Sequence, residues 1–249
     1  MTDTFAILTG ASRGLGAALA RGLLRPGIEL VTLARRNDPA LADLARDHGV
    51  TLRQIQVDLA DTQAATRAAA ELVIPRDAKR YVLINNAGTV HPVANTKALS
   101  DAAAISQALA LNVTAVMLLT ARFLQAVDGL QADRRIINIS SGAGRNPTAG
   151  WGVYCTTKAA LDMYTRVLKT EHGASGLRAV SLAPGIVDTG MQADIRASDP
   201  AAFPGLSRFQ DFHATGKLAA PADVAANILA YLDREDFGQT EIDDIRNYH

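Results

Sequence analysis

Tyr154 and Lys158 stand four residues apart in the segment GWGVYCTTKAALD, which runs from Gly150 to Asp162. Positions i and i+4 share one helical face, so this spacing sets a phenol beside an ammonium. A phenol has an ordinary pKa of about 10. A cation beside it favours the phenolate: at ~4 Å and an effective dielectric of ~20 the attraction is about 4 kcal/mol, before burial subtracts from it. Proton transfer near neutral pH gains from such a shift. The plainer alternative is an exposed tyrosine near a solvated lysine, and the rest of the chain has to decide between the two.

A second group of residues points to a ligand. Thr9-Gly10-Ala11-Ser12-Arg13-Gly14-Leu15-Gly16 joins a compact apolar run, Phe5 to Thr9, to a pattern in which Leu15, Leu19 and Leu23 recur every four residues. This reads as a first strand, a glycine loop and a first helix. Glycines admit positive φ and let a diphosphate approach the backbone, while the helix start offers free N–H groups and a partial positive charge. Gly10, Ser12, Arg13, Gly14, Leu15 and Gly16 are therefore candidate cofactor contacts. The spacing departs from G-x-G-x-x-G, since three residues separate the first two glycines, and a tight turn without a ligand is the competing reading.

The elements that must position these groups alternate. Strands are expected at Leu30 to Leu33, Ile55 to Val57, Tyr81 to Ile84, Ile136 to Ile139 and Ala179 to Leu182, with an edge strand at Glu241 to Asp243. Between them, Asp38-Pro39 starts a helix as cap and first-turn proline, and Asp61 caps an Ala-rich one. Leu99 to Val127, Val153 to His172 and Asp223 to Leu232 also read as helical. Continuous apolar strands separated by helices predict a single-domain α/β fold, a three-layer doubly wound parallel sheet of about seven strands spanning residues 1–249. The least regular stretch, Asp188 to Lys217, is expected to be a flap over the substrate.

Ligands bind at the carboxyl ends of such strands. The second strand ends at Leu33-Ala34-Arg35-Arg36. A site for NAD(H) would carry a carboxylate near Ala34 for the ribose 2′-OH. Two arginines follow instead, and Arg13 lies in the neighbouring loop. Guanidinium groups suit a 2′-phosphate, which favours NADP(H), although one of Arg35 and Arg36 can be an ordinary surface charge. Asp58-Leu59 ends the third strand, where the aspartate serves either the adenine or a helix cap. Asn86, Ala87 and Gly88 end the fourth and Ser140-Ser141 the fifth. Pro184, Gly185, Val187 and Thr189 follow the sixth, placed for a carboxamide.

Bulk properties exclude several classes. The 249 residues include 25 Lys and Arg against 25 Asp and Glu, so no net field draws the chain to nucleic acid or to an anionic membrane. The lone Cys155 excludes an internal disulfide and a Cys-cluster metal site; it reads as structural. His91, His172, His213 and His249 lack metal-ligand spacing, and no metal is expected. No signal peptide is evident at MTDTFAILTG, and no apolar run of membrane-spanning length stands out, the best being Val113 to Leu119. A cytoplasmic protein without membrane or nucleic-acid partners is the expectation.

TGASRGLG, NNAG, Asn112, Ser141, Tyr154-xxx-Lys158 and PGIVDT together resemble the short-chain dehydrogenase/reductase family over essentially the whole chain, with serine thirteen residues before tyrosine. Within it the chain is most similar to sepiapterin reductases and their microbial benzil-reductase-like relatives, through LARRNDPALADL, GWGVYC, APGIVDTGMQ, GKL at 216–218 and REDF at 234–237. The resemblance implies a Rossmann-fold, NADPH-dependent carbonyl reductase with a small ketone or vicinal diketone as substrate. Tyr154 would donate the proton. Lys158 would stabilise the phenolate and hold the nicotinamide ribose. Ser141 would orient the carbonyl, and Asn112 would support a water leading from Lys158 to solvent or simply satisfy helix backbone. Trp151 and Met191 join Ser141 and Tyr154 as substrate contacts, Trp151 having ordinary packing as its alternative. A homodimer or tetramer is implied, paired through the helices after Asn112 and Tyr154. Two other functions stay open: a non-catalytic NADP-sensing module, which would need neither Tyr154 nor Lys158, and an alcohol dehydrogenase working oxidatively. In sepiapterin reductases a carboxylate from the C-terminal tail anchors the pterin. Here Arg246 falls at that position, unless the alignment slips by two residues and restores Asp244.

Overall fold

The computed structural model describes residues 3–248; Met1, Thr2 and His249, named above among the histidines, lie outside them. Seven strands alternate with helices: β1 (Thr4–Thr9), α1 (Gly14–Leu23), β2 (Ile28–Ala34), α2 (Pro39–Asp47), β3 (Thr51–Gln56), α3 (Thr62–Glu71), β4 (Arg80–Asn85), α4 (Ala102–Leu109), α5 (Ala115–Val127), β5 (Asp133–Ile139), α6 (Gly152–His172), β6 (Leu177–Ala183), α7 (Gly190–Arg196), α8 (Leu206–Ala214), α9 (Pro221–Asp233) and β7 (Ile242–Asp244). The strands form one parallel sheet in the order β3-β2-β1-β4-β5-β6-β7. The order reverses between β1 and β4, and such a switch point opens a crevice at the strand ends.

One apolar layer covers each face. Leu15, Leu19 and Leu23 of α1 pack with Leu41 of α2 and Val224 and Ile228 of α9 on one side. On the other, Ala65 and Leu72 join Leu119 and Phe123 of α5 and Leu168 of α6. The caps sit where their residue types require. Asp38 accepts from the amides of Ala40 and Leu41, and Asp61 from those of Gln63 and Ala64.

Three expectations shift. Strand β3 covers Thr51–Gln56 rather than Ile55 to Val57, because an edge strand alternates exposed and half-buried residues and only its apolar end stands out in sequence. The helix expected from Leu99 starts at Ala102, where Asp101 accepts from the amides of Ala103 and Ala104. It is broken at Ala110–Thr114 by a π turn that contains Asn112. The combined stretch Ala102–Val127 has the length and composition of a membrane-crossing helix, yet Leu119, Phe123 and Val127 are fully buried against the sheet. Finally, the segment 188–217 is not irregular: it holds α7 and α8, of seven and nine residues, neither with a side-chain cap. Helices this short and uncapped leave too little periodicity to read.

Candidate active site

Helix α6 places Tyr154, Lys158, Asp162 and Thr165 on its buried face, over the ends of β5 and β6. Lys158 is almost wholly enclosed, at 4% exposure, and its Nζ donates to the Ile139 carbonyl at 2.7 Å. The same Nζ lies 5.6 Å from the centre of the Tyr154 ring. The turn of α6 thus brings ammonium and phenol together as their spacing predicts, but in a buried setting.

Burial changes the electrostatics. The i, i+4 argument expects the phenol pKa to fall. Desolvation instead pushes Tyr154 up to about 12, while the Ser141 hydroxyl acts in the opposite direction as a hydrogen-bond partner. A neutral phenol is the form that donates a proton. Desolvation also brings Lys158 down to about 8, against the pull of Asp162. Both shifts share one cause: an apolar, water-poor surrounding disfavours each charged form.

Ser141 follows β5 and opens a short turn, Gly142–Gly144, its Oγ accepting from the Ala143 amide at 3.2 Å. Asn112 comes from the π turn. Its Oδ1 accepts from Thr89 N at 2.9 Å, and its Nδ2 donates to Thr89 O at 2.8 Å and to Thr157 Oγ1 at 3.0 Å. Both amide hydrogens and one acceptor site are engaged, so Asn112 fastens the loop after β4 to α6. One lone pair of Oδ1 is left for a water. Gly88 closes this corner, since a Cβ there would lie 3.3 Å from Asn112 Oδ1 and 3.7 Å from Lys158 Nζ. Neither Thr89 nor Thr157 is marked by any motif; only the fold brings them to Asn112.

The glycine loop is a cradle that side chains would fill. Gly10 and Gly14 take φ of +73° and +54°, and a Cβ on Gly16 would meet the Gly10 carbonyl at 2.0 Å. Thr9 Oγ1 accepts from the amides of Asn86 and Ala87, and Asn86 Nδ2 donates to Thr9 O and Gly10 O. Asn86 therefore braces the loop from the β4 side. Thr189 stands against Gly14, and Gly190 stands near the Arg13 guanidinium. Among the described residues, Arg13, Arg35 and Arg36 have no side-chain hydrogen bond or ion pair, and Arg35 and Arg36 are exposed at the end of β2 beside buried Ala34. This donor set fits a dinucleotide with a phosphate on its adenosine ribose. Asp58 is exposed and caps its own turn through the Ala60 amide, while Leu59 is buried. Val187 is buried behind the loop, and Gly185 takes φ +77°.

Aromatic rings pack beside Tyr154. Trp151 stacks on Phe203 with centroids 5.1 Å apart and planes 8° apart, tilts against Phe209 at 5.1 Å, and meets the Tyr154 ring edge-on at 5.5 Å. Met191, Ile195 and Leu206 pack on the same cluster, as does Cys155. Segment 188–217 thus lies over Trp151 and Tyr154. At the tail, Arg246 runs along Gly185 and forks onto Asp244 with bonds of 2.8 and 2.7 Å, so both Asp244 oxygens accept from it. Asp243 is buried and takes bonds from Asn247, Tyr231 and Tyr248.

With this geometry established, comparison with known proteins defines the class. A family model of short chain dehydrogenases matches residues 4–200. A benzil reductase ((S)-benzoin forming) of Bacillus cereus is 37% identical over 243 residues, 96% of this chain and 97% of that one. A sepiapterin reductase of Rattus norvegicus is 37% identical over 245 residues, 93% of this chain and 92% of its own. Among solved structures, a short-chain dehydrogenase from Sphingobium yanoikuyae in complex with NADPH superposes with a TM-score of 0.75 at 26% identity, covering 97% of this chain and 87% of that one. The chain belongs to the short-chain dehydrogenase family.

A pH dependence follows. Lys158 is cationic below about 8 and neutral above it. If that charge stabilises the phenolate left by proton donation, kcat/KM for carbonyl reduction falls as pH rises through about 8. A stopped-rate profile from pH 6 to 10 that stays flat through pH 9.5 would remove Lys158 from this role.

Proposed function

We propose that this protein is an NADPH-dependent reductase of vicinal diketones and similar aromatic ketones, with Tyr154 as the proton donor. When bound, the dinucleotide supplies the hydride that adds to the carbonyl carbon. Tyr154 Oη gives its proton to the carbonyl oxygen as that oxygen gains charge. The Lys158 ammonium stabilises the resulting phenolate, Ser141 orients the carbonyl, and Asn112 holds the loop after β4 and leaves Oδ1 for a water by which the proton is replaced. The product is the α-hydroxy ketone.

The observation that carries the substrate class is the Trp151–Phe203–Phe209 wall beside Tyr154. Trp151 and Phe203 are buried against each other, and the half-buried Phe209 and Met191 are the part of this apolar cluster that an aryl group would meet. The benzil and sepiapterin reductases similar to this chain support the same chemistry. A pterin is less well served. The Asp244 oxygens already hold Arg246 in a bidentate pair, so a pterin would have to share or displace that guanidinium to reach them. At saturating NADPH and one pH, benzil-like diketones are expected to give higher kcat/KM than sepiapterin. A tenfold preference for sepiapterin would reject the assignment. In the same assay Tyr154→Phe keeps the ring and loses the proton donor. Its turnover drops ~10²–10⁴-fold while NADPH still binds; retention of more than about a tenth would remove Tyr154 from the chemistry.

NADPH over NADH is supported by the unpaired Arg13, Arg35 and Arg36 and by the absence of a carboxylate at Ala34. A charge-assisted contact to phosphate contributes about 1.5–3 kcal/mol. Arg35→Ala is therefore expected to raise the Kd for NADPH roughly 10- to 150-fold and to leave NADH nearly unchanged, read by nucleotide fluorescence. An equal loss for both would show that Arg35 does not read the 2′-phosphate.

A homodimer or tetramer is part of the proposal. Met117 of α5 and Met163 and Val167 of α6 remain exposed, Met163 at 57%, on the outer faces of adjacent helices. Pairing these faces between copies would cover them. Light scattering at micromolar concentration should give at least twice the 26.3 kDa of one chain; a monomeric mass would contradict it.

A further inference from the structure

Asp162 is a buried carboxylate with no direct part in the chemistry above. It lies one helical turn beyond Lys158 and two beyond Tyr154, on the same face of α6, at 7% exposure. Its Oδ1 accepts from two hydroxyls, Ser140 Oγ at 2.7 Å and Ser181 Oγ at 2.6 Å. Ser140 directly precedes Ser141, and Ser181 belongs to β6. Its Oδ2 has no hydrogen-bond partner and sits 3.5 Å from Arg145 Nε. A Cβ on Gly144 would come within 3.0 Å of that oxygen and 2.9 Å of the Lys158 carbonyl carbon, so the turn after Ser141 is pressed directly onto the helix between Lys158 and Asp162. A charge this enclosed is retained only where something offsets its desolvation. Two hydroxyls and the Arg145 guanidinium, an ion-pair partner 3.5 Å away, supply that offset.

The neighbours identify the task. Tyr154 and Asp162 flank Lys158 on α6, with Cys155 beside Tyr154. From the turn after β5 comes Arg145, which also reaches the carbonyls of Ser141 and Asp243 at 3.4 Å. The loop after β4 and the π turn contribute uncharged Gly88 and Asn112. On the tail side, the Asp243 carboxyl is occupied by Tyr231, Asn247 and Tyr248, and Asp244 by Arg246. Asp162 is the carboxylate whose field acts on Lys158.

We propose that Asp162 is a positioning residue of this active site: its carboxylate is the counter-charge to Lys158 one turn away on the buried face of α6 and, through Ser140, clamps the segment bearing Ser141 to α6. Enclosure drives the proton off Lys158, and Asp162 opposes it. The same oxygen that faces β5 and β6 fixes the height of Ser141 against Tyr154. The inference rests on the reductase reading only in giving Lys158 a task, so its test reads Lys158 without substrate.

Protein labelled with 13C at lysine Cε is titrated by NMR, with Lys158→Arg identifying the resonance. Asp162→Asn keeps the shape and removes the charge: its oxygen can still accept from both serine hydroxyls. The Lys158 midpoint in this variant is expected to fall by about one pH unit. Ser181→Ala removes a hydrogen bond and no charge, and should leave the midpoint in place. If the amide variant does not fold, Asp162→Ser removes the same charge and still offers both serines a partner. A midpoint unmoved by loss of the carboxylate, or moved equally by Ser181→Ala, would overturn the proposal. A wild-type protein that reduced no diketone would sink the functional reading and leave this titration intact.

Discussion

The polar seam between α6 and the ends of β5 and β6 is the constraint on which the site depends. Successive turns of one helix meet successive residues of one strand: Thr165 with Asn138, Lys158 with the Ile139 carbonyl, Asp162 with Ser140, and Tyr154 with Ser141. A helix could slide or rotate on a purely apolar sheet face at little loss. Each of these buried donors and acceptors would lose its partner if α6 moved by a fraction of a turn, and each loss costs about 1–3 kcal/mol. The phenol and the ammonium are therefore held by their neighbours, and not by their own packing.

The seam continues across the sheet. Asn138 accepts from Asn85 Nδ2, which reaches Thr120 on α5. The two helices that carry Asn112 and Tyr154 are thus keyed to adjacent strands through one set of fully buried amides and hydroxyls. Asn112 adds a second tie between them, through Thr157. The π turn around Asn112 belongs to this arrangement: it interrupts an otherwise regular helix where the loop after β4 must be grasped. Such turns are found mostly where a site needs a side chain set out of the ordinary helical register.

Desolvation and charge act against each other in the same small volume. Burial beside Trp151 disfavours the charged form of Tyr154, and enclosure pulls Lys158 toward neutrality. The ion pair expected from an exposed i, i+4 spacing has the right members and the wrong dielectric. What the burial provides is a neutral phenol with a cation one helical turn away.

Much of this was legible in residue order. Apolar runs and glycine spacing marked the parallel sheet, because continuous burial on two faces leaves no alternation. Asp38-Pro39 and Asp61 marked helix starts because capping is a local hydrogen bond. Tyr154, Lys158 and the glycine loop stood out by type and interval, and Ser141 through the family resemblance. The boundaries of β3, the start of α4 at Asp101, and the two helices in 188–217 did not, since edge exposure and short uncapped turns leave no periodic trace. The partners were wholly hidden. Thr89 meets Asn112 across 23 residues, and Ser181 meets Asp162 across 19. The sequence by itself determined which chemical groups the protein owns and on which elements they ride, because both are local properties. Only the tertiary structure decided their protonation, their hydrogen-bond partners and the aromatic wall over them, because burial and dielectric are set by segments far apart along the chain.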